Sequence, residues 1–97
     1  MQYKKDDSMV GRKVANEFIL VPIKQNVADL QYMYSLNEVG GRIWELLDDF
    51  TSVEKIVSTL VQEYEVEAPQ AEADVLEFLA QMKEIGAIME ETKENEK

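Results

Sequence analysis

Hydrophobic and polar positions change their period once along this chain. Between residues 9 and 35, Val, Ile, Phe, Tyr and Met form short runs that Gly, Pro and Asn interrupt. From residue 36 to 85, apolar residues recur at helical spacing instead. The pattern therefore predicts an α+β domain in which strands come first and helices follow.

Three strands are predicted in the first part, at residues 9 to 14, 17 to 23 and 29 to 36. Their connections are short enough for hairpins, so we expect an antiparallel meander. The third strand alternates most regularly, which is typical of a half-exposed strand. One of its faces carries Leu30, Tyr32, Tyr34 and Leu36, and the other carries Gln31, Met33 and Ser35.

Three amphipathic helices are predicted in the second part. Asn37 is a good N-cap for the first, and Thr51 with Glu54 forms a capping-box pattern for the second. Pro69 suits the first position of the third helix, and Gly86 suits its end. The residues expected to face the core are Val39, Ile43, Leu46, Leu47, Phe50, Val53, Ile56, Val57, Leu60, Val61, Tyr64, Ala71, Val75, Phe78, Leu79, Met82 and Ile85.

These elements outline one winged helix-turn-helix-like domain at residues 9 to 90, with a three-stranded antiparallel sheet followed by a three-helix bundle. A short strand is expected at residues 87 to 89. Residues 1 to 8 and 91 to 97 are polar and lack a period, so both are predicted to be flexible tails, the second of them acidic.

The amino-acid composition excludes several kinds of functional site. The 97 residues contain no Cys and no His, which excludes disulfides, Cys/His zinc sites and imidazole catalysis. We therefore expect a protein that holds no metal and is not an enzyme of the usual hydrolase or metalloenzyme kinds. The longest apolar run, residues 18 to 23, is too short for a membrane span, and the first ten residues are too polar for a signal peptide. A cytoplasmic protein without membrane contact is expected.

Charge is distributed unevenly. Residues 1 to 43 carry six basic and five acidic groups, net +1, whereas residues 44 to 97 carry four basic and fifteen acidic groups, net −11. The third helix, from Glu67 to Glu84, offers five acids and one base, Lys83. Because phosphate repels such a helix, a DNA-binding winged helix is only the alternative interpretation, and no nucleic acid partner is expected.

Two short motifs have both structural and functional interpretations. Asp48 and Asp49 are adjacent in a turn, where they are expected to point apart into solvent rather than share a catalytic proton. Gly40 and Gly41 weaken the first turn of a helix, so a close neighbour should compensate them. We expect Trp44 to occupy that space as a packed side chain, with ligand contact as the other interpretation.

Residues 34 to 48, YSLNEVGGRIWELLD, resemble the signature of the PqqD family. In that signature a strand ending in Leu-Asn leads to a helix with small residues, then Ile-Trp and Leu-Leu-Asp. The resemblance extends over about residues 17 to 89, through the second helix and the Phe-Leu and Gly of the third. Asp49-Phe50 departs from the pattern of many members, which have Gly beside a polar residue there, and the departure changes only a turn.

The resemblance implies a peptide-binding chaperone without a cofactor. Such domains bind the leader of a ribosomally made precursor peptide and present it to a modifying enzyme, often a radical S-adenosylmethionine protein, in coenzyme PQQ or related peptide biosynthesis. The leader adds as a strand beside the third strand and packs against the third helix. The implied peptide-binding residues are Asp29, Leu30, Gln31, Tyr32, Met33, Tyr34 and Ser35 on the strand, and Leu76, Ala80 and Lys83 on the helix.

The residues give independent support to this interpretation. An edge strand has unpaired N–H and C=O groups that an extended peptide can satisfy, while alternate side chains of the peptide enter pockets. Leu76, Ala80 and Lys83 share a stripe of the third helix, which is either one wall of a groove or a plain border between core and solvent. A homodimer through the edge strand, or a domain swap, is the other way to cover the edge.

Overall fold

The computed structural model describes residues 2 to 23 and 33 to 91. Three helices are present in this part of the chain: α1 (Glu38–Leu46), α2 (Val53–Glu63) and α3 (Ala68–Glu84). The strands of the same part are β1 (Gln2–Lys5), β2 (Met9–Val14), β3 (Glu17–Pro22), β4 (Tyr34–Leu36), β5 (Thr51–Ser52) and β6 (Ile88–Glu91). The predicted α+β class is confirmed.

The first sheet is the predicted antiparallel meander, in the order β2-β3-β4. A tight turn joins β2 to β3, and Ala15 in this turn has a φ of 57°, a left-handed conformation that is uncommon for a residue with a side chain. Ile19 lies opposite Ser35, which fixes the register of β4 on β3. Of the third predicted strand, Tyr34–Leu36 is confirmed, whereas residues 29 to 32 lie outside the described residues.

A second sheet, in the order β5-β1-β6, corrects the prediction of a flexible tail at residues 1 to 8. Tyr3 lies opposite Thr51 on one side and Glu90 on the other, so β1 is the central strand. Asp6 extends the contact between the N-terminal segment and the segment of β6, because its N–H donates to the carbonyl of Ala87 at 2.9 Å. Four residues with mostly polar side chains give no local signal for such a distant pairing. The predicted tail at residues 91 to 97 lies outside the described residues, apart from Glu91, which belongs to β6.

The core lies where the helices meet both sheets. Its buried members include Met9, Leu20, Ile43, Trp44, Leu47, Ile56, Leu60, Ala71, Val75, Phe78, Leu79, Met82, Ala87 and Ile88. The helical stripes predicted from the sequence supply nine of these residues, and Trp44 packs in the core as expected. Val61 departs from the prediction, because 37% of its surface is exposed.

The helix ends follow the predicted chemistry with one exception. Asn37 caps α1 through its side chain, and Gly86 ends the turn after α3 with a φ of 77°. However, Ser52 rather than Thr51 is the N-cap of α2 and accepts from the N–H of Lys55. The Thr51 hydroxyl donates instead to the carbonyl of Asp49 at 2.6 Å, because Thr51 already belongs to β5.

Two aromatic rings, neither of them Trp44, fill the space beside the adjacent glycines of α1. A Cβ added to Gly41 would lie 2.9 Å from Phe18 of β3, and one added to Gly40 would lie 3.3 Å from Cε1 of Phe78 in α3. The prediction that Trp44 occupies this space was therefore wrong. The sequence spacing places Trp44 on the same flank of α1 as Gly40. In the folded chain, however, the rings of Phe18 and Phe78, which are distant in sequence, lie closer to the two glycines.

Candidate functional site

The candidate site begins at the open edge of β4. In the described part of the chain, β4 is the last strand of its sheet, and the side away from β3 has no strand beside it. Tyr34 and Leu36 are half-buried against the core, while Ser35 and Met33 are exposed, Met33 by 60%. This confirms the predicted alternation for residues 33 to 36. Backbone groups on the open side are available to an added strand.

A cleft opens where β4 ends, between the start of α1 and the middle of α3. We call it the α1–α3 cleft. Its volume is about 330 Å³, and it is lined by Asn37, Val39, Gly40, Ile43, Asp74, Glu77, Phe78 and Gln81. Asn37 directly follows the last residue of β4, so the cleft adjoins the end of this strand.

Local sequence explains how the cleft forms. The Asn37 side chain accepts from the N–H of Gly40 at 2.7 Å, which starts α1 immediately after β4. Gly40 has no side chain, so Leu36 and Phe78 both approach it, at 3.5 Å and 3.3 Å from the position a Cβ would occupy. This close approach places the end of β4 next to α3.

The α3 wall carries the charge of the cleft. Asp74, Glu77, Phe78 and Gln81 occur at helical positions i, i+3, i+4 and i+7, so they share one flank of α3. Asp74 and Glu77 are the only charged lining residues, and both are acidic. Gln70 donates to the Asp74 carboxylate at 3.0 Å. The wall thus combines an aromatic ring with two carboxylates.

The predicted helix wall lies elsewhere. Leu76, Ala80 and Lys83 are all exposed, Leu76 by 47%, but none of them lines the α1–α3 cleft. At 3.6 residues per turn they point roughly 140° away from the cleft-lining residues of α3. The α1–α3 cleft therefore does not include this stripe, whose part in peptide binding stays a prediction. A helical wheel identifies the flanks of a helix, but not which flank meets a distant strand.

Lys83 has a partner on the sheet side. Its ammonium group forms a salt bridge with Glu90 of β6, and this hydrogen bond raises the pKa of Lys83 above its usual value. Of the strand residues predicted to bind peptide, Tyr34 and Ser35 lie in β4 at the open edge, and Met33 directly precedes this strand. Asp29, Leu30, Gln31 and Tyr32 lie outside the described residues.

A second cleft, of about 380 Å³, lies beneath the β2–β3 turn, and its lining includes Lys13, Phe18 and Arg42. Arg42 is already paired there: its Nε and Nη2 atoms each donate to Glu63 at 2.7 Å. These hydrogen bonds raise the pKa of Arg42 and lower that of Glu63. Burial raises the pKa of the nearby Tyr64 hydroxyl. Since Arg42 is neutralised by Glu63 and Lys13 is the only other cation of the lining, this cleft is a weaker candidate for an anionic ligand.

Within residues 2 to 23 and 33 to 91, no three acidic side chains come together in a way that could hold a metal ion. In the same residues, no helix has the length and apolarity needed to cross a membrane.

Asp48 and Asp49 are exposed, and Asp49 accepts from the N–H of Phe50 at 2.8 Å, as expected for a solvated turn.

The geometry defines a small α+β domain with an open strand edge beside a helix-lined cleft, and comparison with known proteins gives its family. Residues 17 to 88 match the family model described as coenzyme PQQ synthesis protein D (PqqD). The chain belongs to the PqqD family. The comparison with curated proteins finds no match.

Two solved structures are similar over nearly the whole chain. One is TbiB1 in complex with the TbiA(beta) leader peptide, with 27% identity, a TM-score of 0.75, and coverage of 92% of this chain and 98% of TbiB1. The other is lasso peptide synthetase B1 complexed with the leader peptide, with 21% identity and a TM-score of 0.75. That alignment covers 93% of this chain and 100% of the synthetase chain, and its likeness concerns the fold.

Proposed function

We propose that this protein is a non-catalytic chaperone that binds the leader of a ribosomally made precursor peptide and presents it to a modifying enzyme. The observation that carries the proposal is the open edge of β4, which ends at the α1–α3 cleft. Membership of the PqqD family supports it, as does the similarity to TbiB1, a protein solved with its leader peptide.

Strand addition accounts for how one small domain holds an extended peptide. The leader pairs its backbone with the free N–H and C=O groups of β4, which gives affinity with little dependence on sequence. Side chains on one face of the added strand then point toward the helices, because successive residues of a strand alternate between faces. Backbone atoms of the complex therefore give affinity, and side-chain atoms give selectivity.

The proposed peptide-binding residues combine the strand prediction with the cleft. On the strand side they are Met33, Tyr34 and Ser35. On the helix side Asp74, Glu77, Phe78 and Gln81 replace the stripe expected from the sequence, because these residues line the cleft. Phe78 provides an apolar contact surface, and the two carboxylates give that surface a negative rim.

The partner that receives the peptide is proposed to be a radical S-adenosylmethionine enzyme or another peptide-modifying enzyme in the cytoplasm. The chaperone then contributes binding and orientation, while the enzyme supplies the chemistry. This division fits a chain of 97 residues without His or Cys, whose ionisable catalysts would be limited mainly to carboxylates.

Amide hydrogen exchange with and without the cognate leader tests this function. We expect slower exchange at the outward-facing amides of Tyr34–Leu36 when the peptide is bound, since these groups gain partners. Strand β2, at the other edge of the same sheet, is the internal control and should be unchanged. Protection of β2 alone, or no protection at saturating leader, would refute strand addition at β4.

Self-association through the same edge is the competing use of β4. If two copies pair there, added leader should convert dimers to monomers, because both events need the same backbone groups. Sedimentation velocity with and without leader measures this directly. A dimer that persists with the leader bound would place the interface on another surface.

A further inference from the structure

The α1–α3 cleft has an apolar floor and a negatively charged rim. Phe78 is 8% exposed and Ile43 is fully buried, so together with Gly40 they form a floor without charge. Asp74 and Glu77 stand on the α3 side, and the lining contains no Lys or Arg. A ligand bound here contacts hydrocarbon at the floor and carboxylate at the edge.

The two carboxylates are not neutralised by the described residues. The salt bridges among these residues pair Arg42 with Glu45 and Glu63, and Lys83 with Glu90. Asp74 accepts a hydrogen bond from the neutral amide of Gln70, which leaves its charge in place. The cleft therefore keeps a net negative charge next to an aromatic surface.

Resting on the proposed function, we infer that this cleft selects leaders that carry a lysine or arginine side chain at the position facing α3. The aliphatic stem of such a side chain packs against an apolar floor while its charged end stays at the polar rim. Here the stem lies over Phe78 and the cation reaches Asp74 and Glu77. A leucine at that position leaves the carboxylates without a cation, and a glutamate is repelled by them.

General attraction between a basic peptide and an acidic protein must be separated from local recognition. The whole chain has a net charge of −10, so any basic peptide gains some affinity at low salt. Local recognition, unlike this general attraction, requires the basic residue at one particular position of the bound strand. Charge substitutions of equal size in this cleft and in a groove on the other side of α3 distinguish these two effects.

The matched control uses the opposite flank. Glu54 and Glu72 are exposed and line a groove between α2 and α3 that shares no lining residue with the α1–α3 cleft. The double variants Asp74→Lys/Glu77→Lys and Glu54→Lys/Glu72→Lys change the net charge equally. Only the first changes the rim of the cleft.

A display library of random 15-residue peptides, panned at moderate salt against the parent and both double variants, tests the inference. We expect the parent and the Glu54→Lys/Glu72→Lys control to enrich Lys or Arg at one aligned position. The Asp74→Lys/Glu77→Lys variant should instead enrich Asp or Glu there. For a single enriched peptide, Lys→Leu at that position should weaken binding about 2- to 5-fold, and circular dichroism checks that each variant is folded.

The other outcomes separate a failure of the cleft inference from a failure of the proposed function. Aligned peptides without a basic position, or the same preference in both double variants, overturn the cleft inference and leave leader binding by strand addition intact. No enrichment with the folded parent overturns the proposed function and this inference together.

Discussion

Trp44 lies against Gly11, a residue of the neighbouring sheet that has no side chain to separate them. A Cβ added to Gly11 would come within 2.6 Å of the indole Nε1 and within 2.7 Å of the Phe18 ring. Lys5 of β1 covers the indole from another side, with its Nζ 5.8 Å from the ring centre. The single tryptophan thus reports on contacts of α1 with both sheets.

Gly11→Ala should destabilise the domain by about 1 to 3 kcal/mol, because the added methyl group forces two packed rings to move. Urea unfolding followed by Trp44 fluorescence measures the change. Val14→Ala is the control in the same strand, since Val14 is 54% exposed and should change stability by less than about 0.5 kcal/mol. Equal effects of the two substitutions would mean that Gly11 is not a tight packing position.

Leu60→Ala should lower the free energy of unfolding by about 2 to 5 kcal/mol, because it leaves a cavity beneath α2. Leu60 is 2% exposed, whereas the adjacent Val61 is 37% exposed and provides the control variant Val61→Ala. Thermal unfolding by circular dichroism compares the two. An unchanged melting temperature for Leu60→Ala would show that this face of α2 is not the core face.

Gln81→Trp and Leu76→Trp form a matched pair for locating the peptide on α3, because both positions are exposed on the same helix. Gln81 lines the α1–α3 cleft, so its substitution should fill the cleft and weaken leader binding at least about tenfold. Leu76→Trp should stay within about twofold of the parent. Calorimetric titration with the cognate leader measures both. The reverse order would restore the helix wall expected from the sequence.

Glu63→Gln should make the free energy of unfolding depend less on pH in the acidic range. The guanidinium of Arg42 lowers the pKa of Glu63 below its reference value of 4.5, so the folded state binds its proton less readily than the unfolded state. The resulting stabilisation is present above that reference value and is lost as the pH falls through the lower folded pKa. Urea unfolding at several pH values between 7 and about 3 should show a shallower loss for the variant.

Glu65→Gln is the control for this titration, since Glu65 is exposed and takes part in none of the salt bridges of the described residues. It should reproduce the pH profile of the parent. If both variants flatten the profile alike, the general negative charge of the chain is responsible rather than the pair with Arg42.

Local signals in the sequence were sufficient for much of the fold. The Asn37 cap, the end of α3 shortly before Gly86 and the core residues of α3 follow from residues within a few helical turns of one another. Strand β1 could not be predicted in this way, because its partners Thr51 and Glu90 lie far along the chain.

The candidate site was predictable to the same degree. Alternation in residues 33 to 36 identified the strand and its exposed face. The sequence predicts the flank of Leu76, Ala80 and Lys83, whereas the other flank of α3 lines the cleft. Periodicity separates core from surface but contains no information on the rotation of a helix relative to a distant sheet. That rotation depends on contacts such as Leu36 and Phe78 around Gly40, which only the folded chain brings together.

The central position of β1 also has a consequence for the order of synthesis. Since β1 is synthesised before the other described strands and one of its two neighbours, β6, comes more than eighty residues later, this sheet cannot close until translation has passed Ile88–Glu91. During that interval Gln2–Lys5 has only β5 to pair with, and β5 is two residues long. Pairing between the first and the last described strands therefore has to wait until the residues up to β6 have been synthesised.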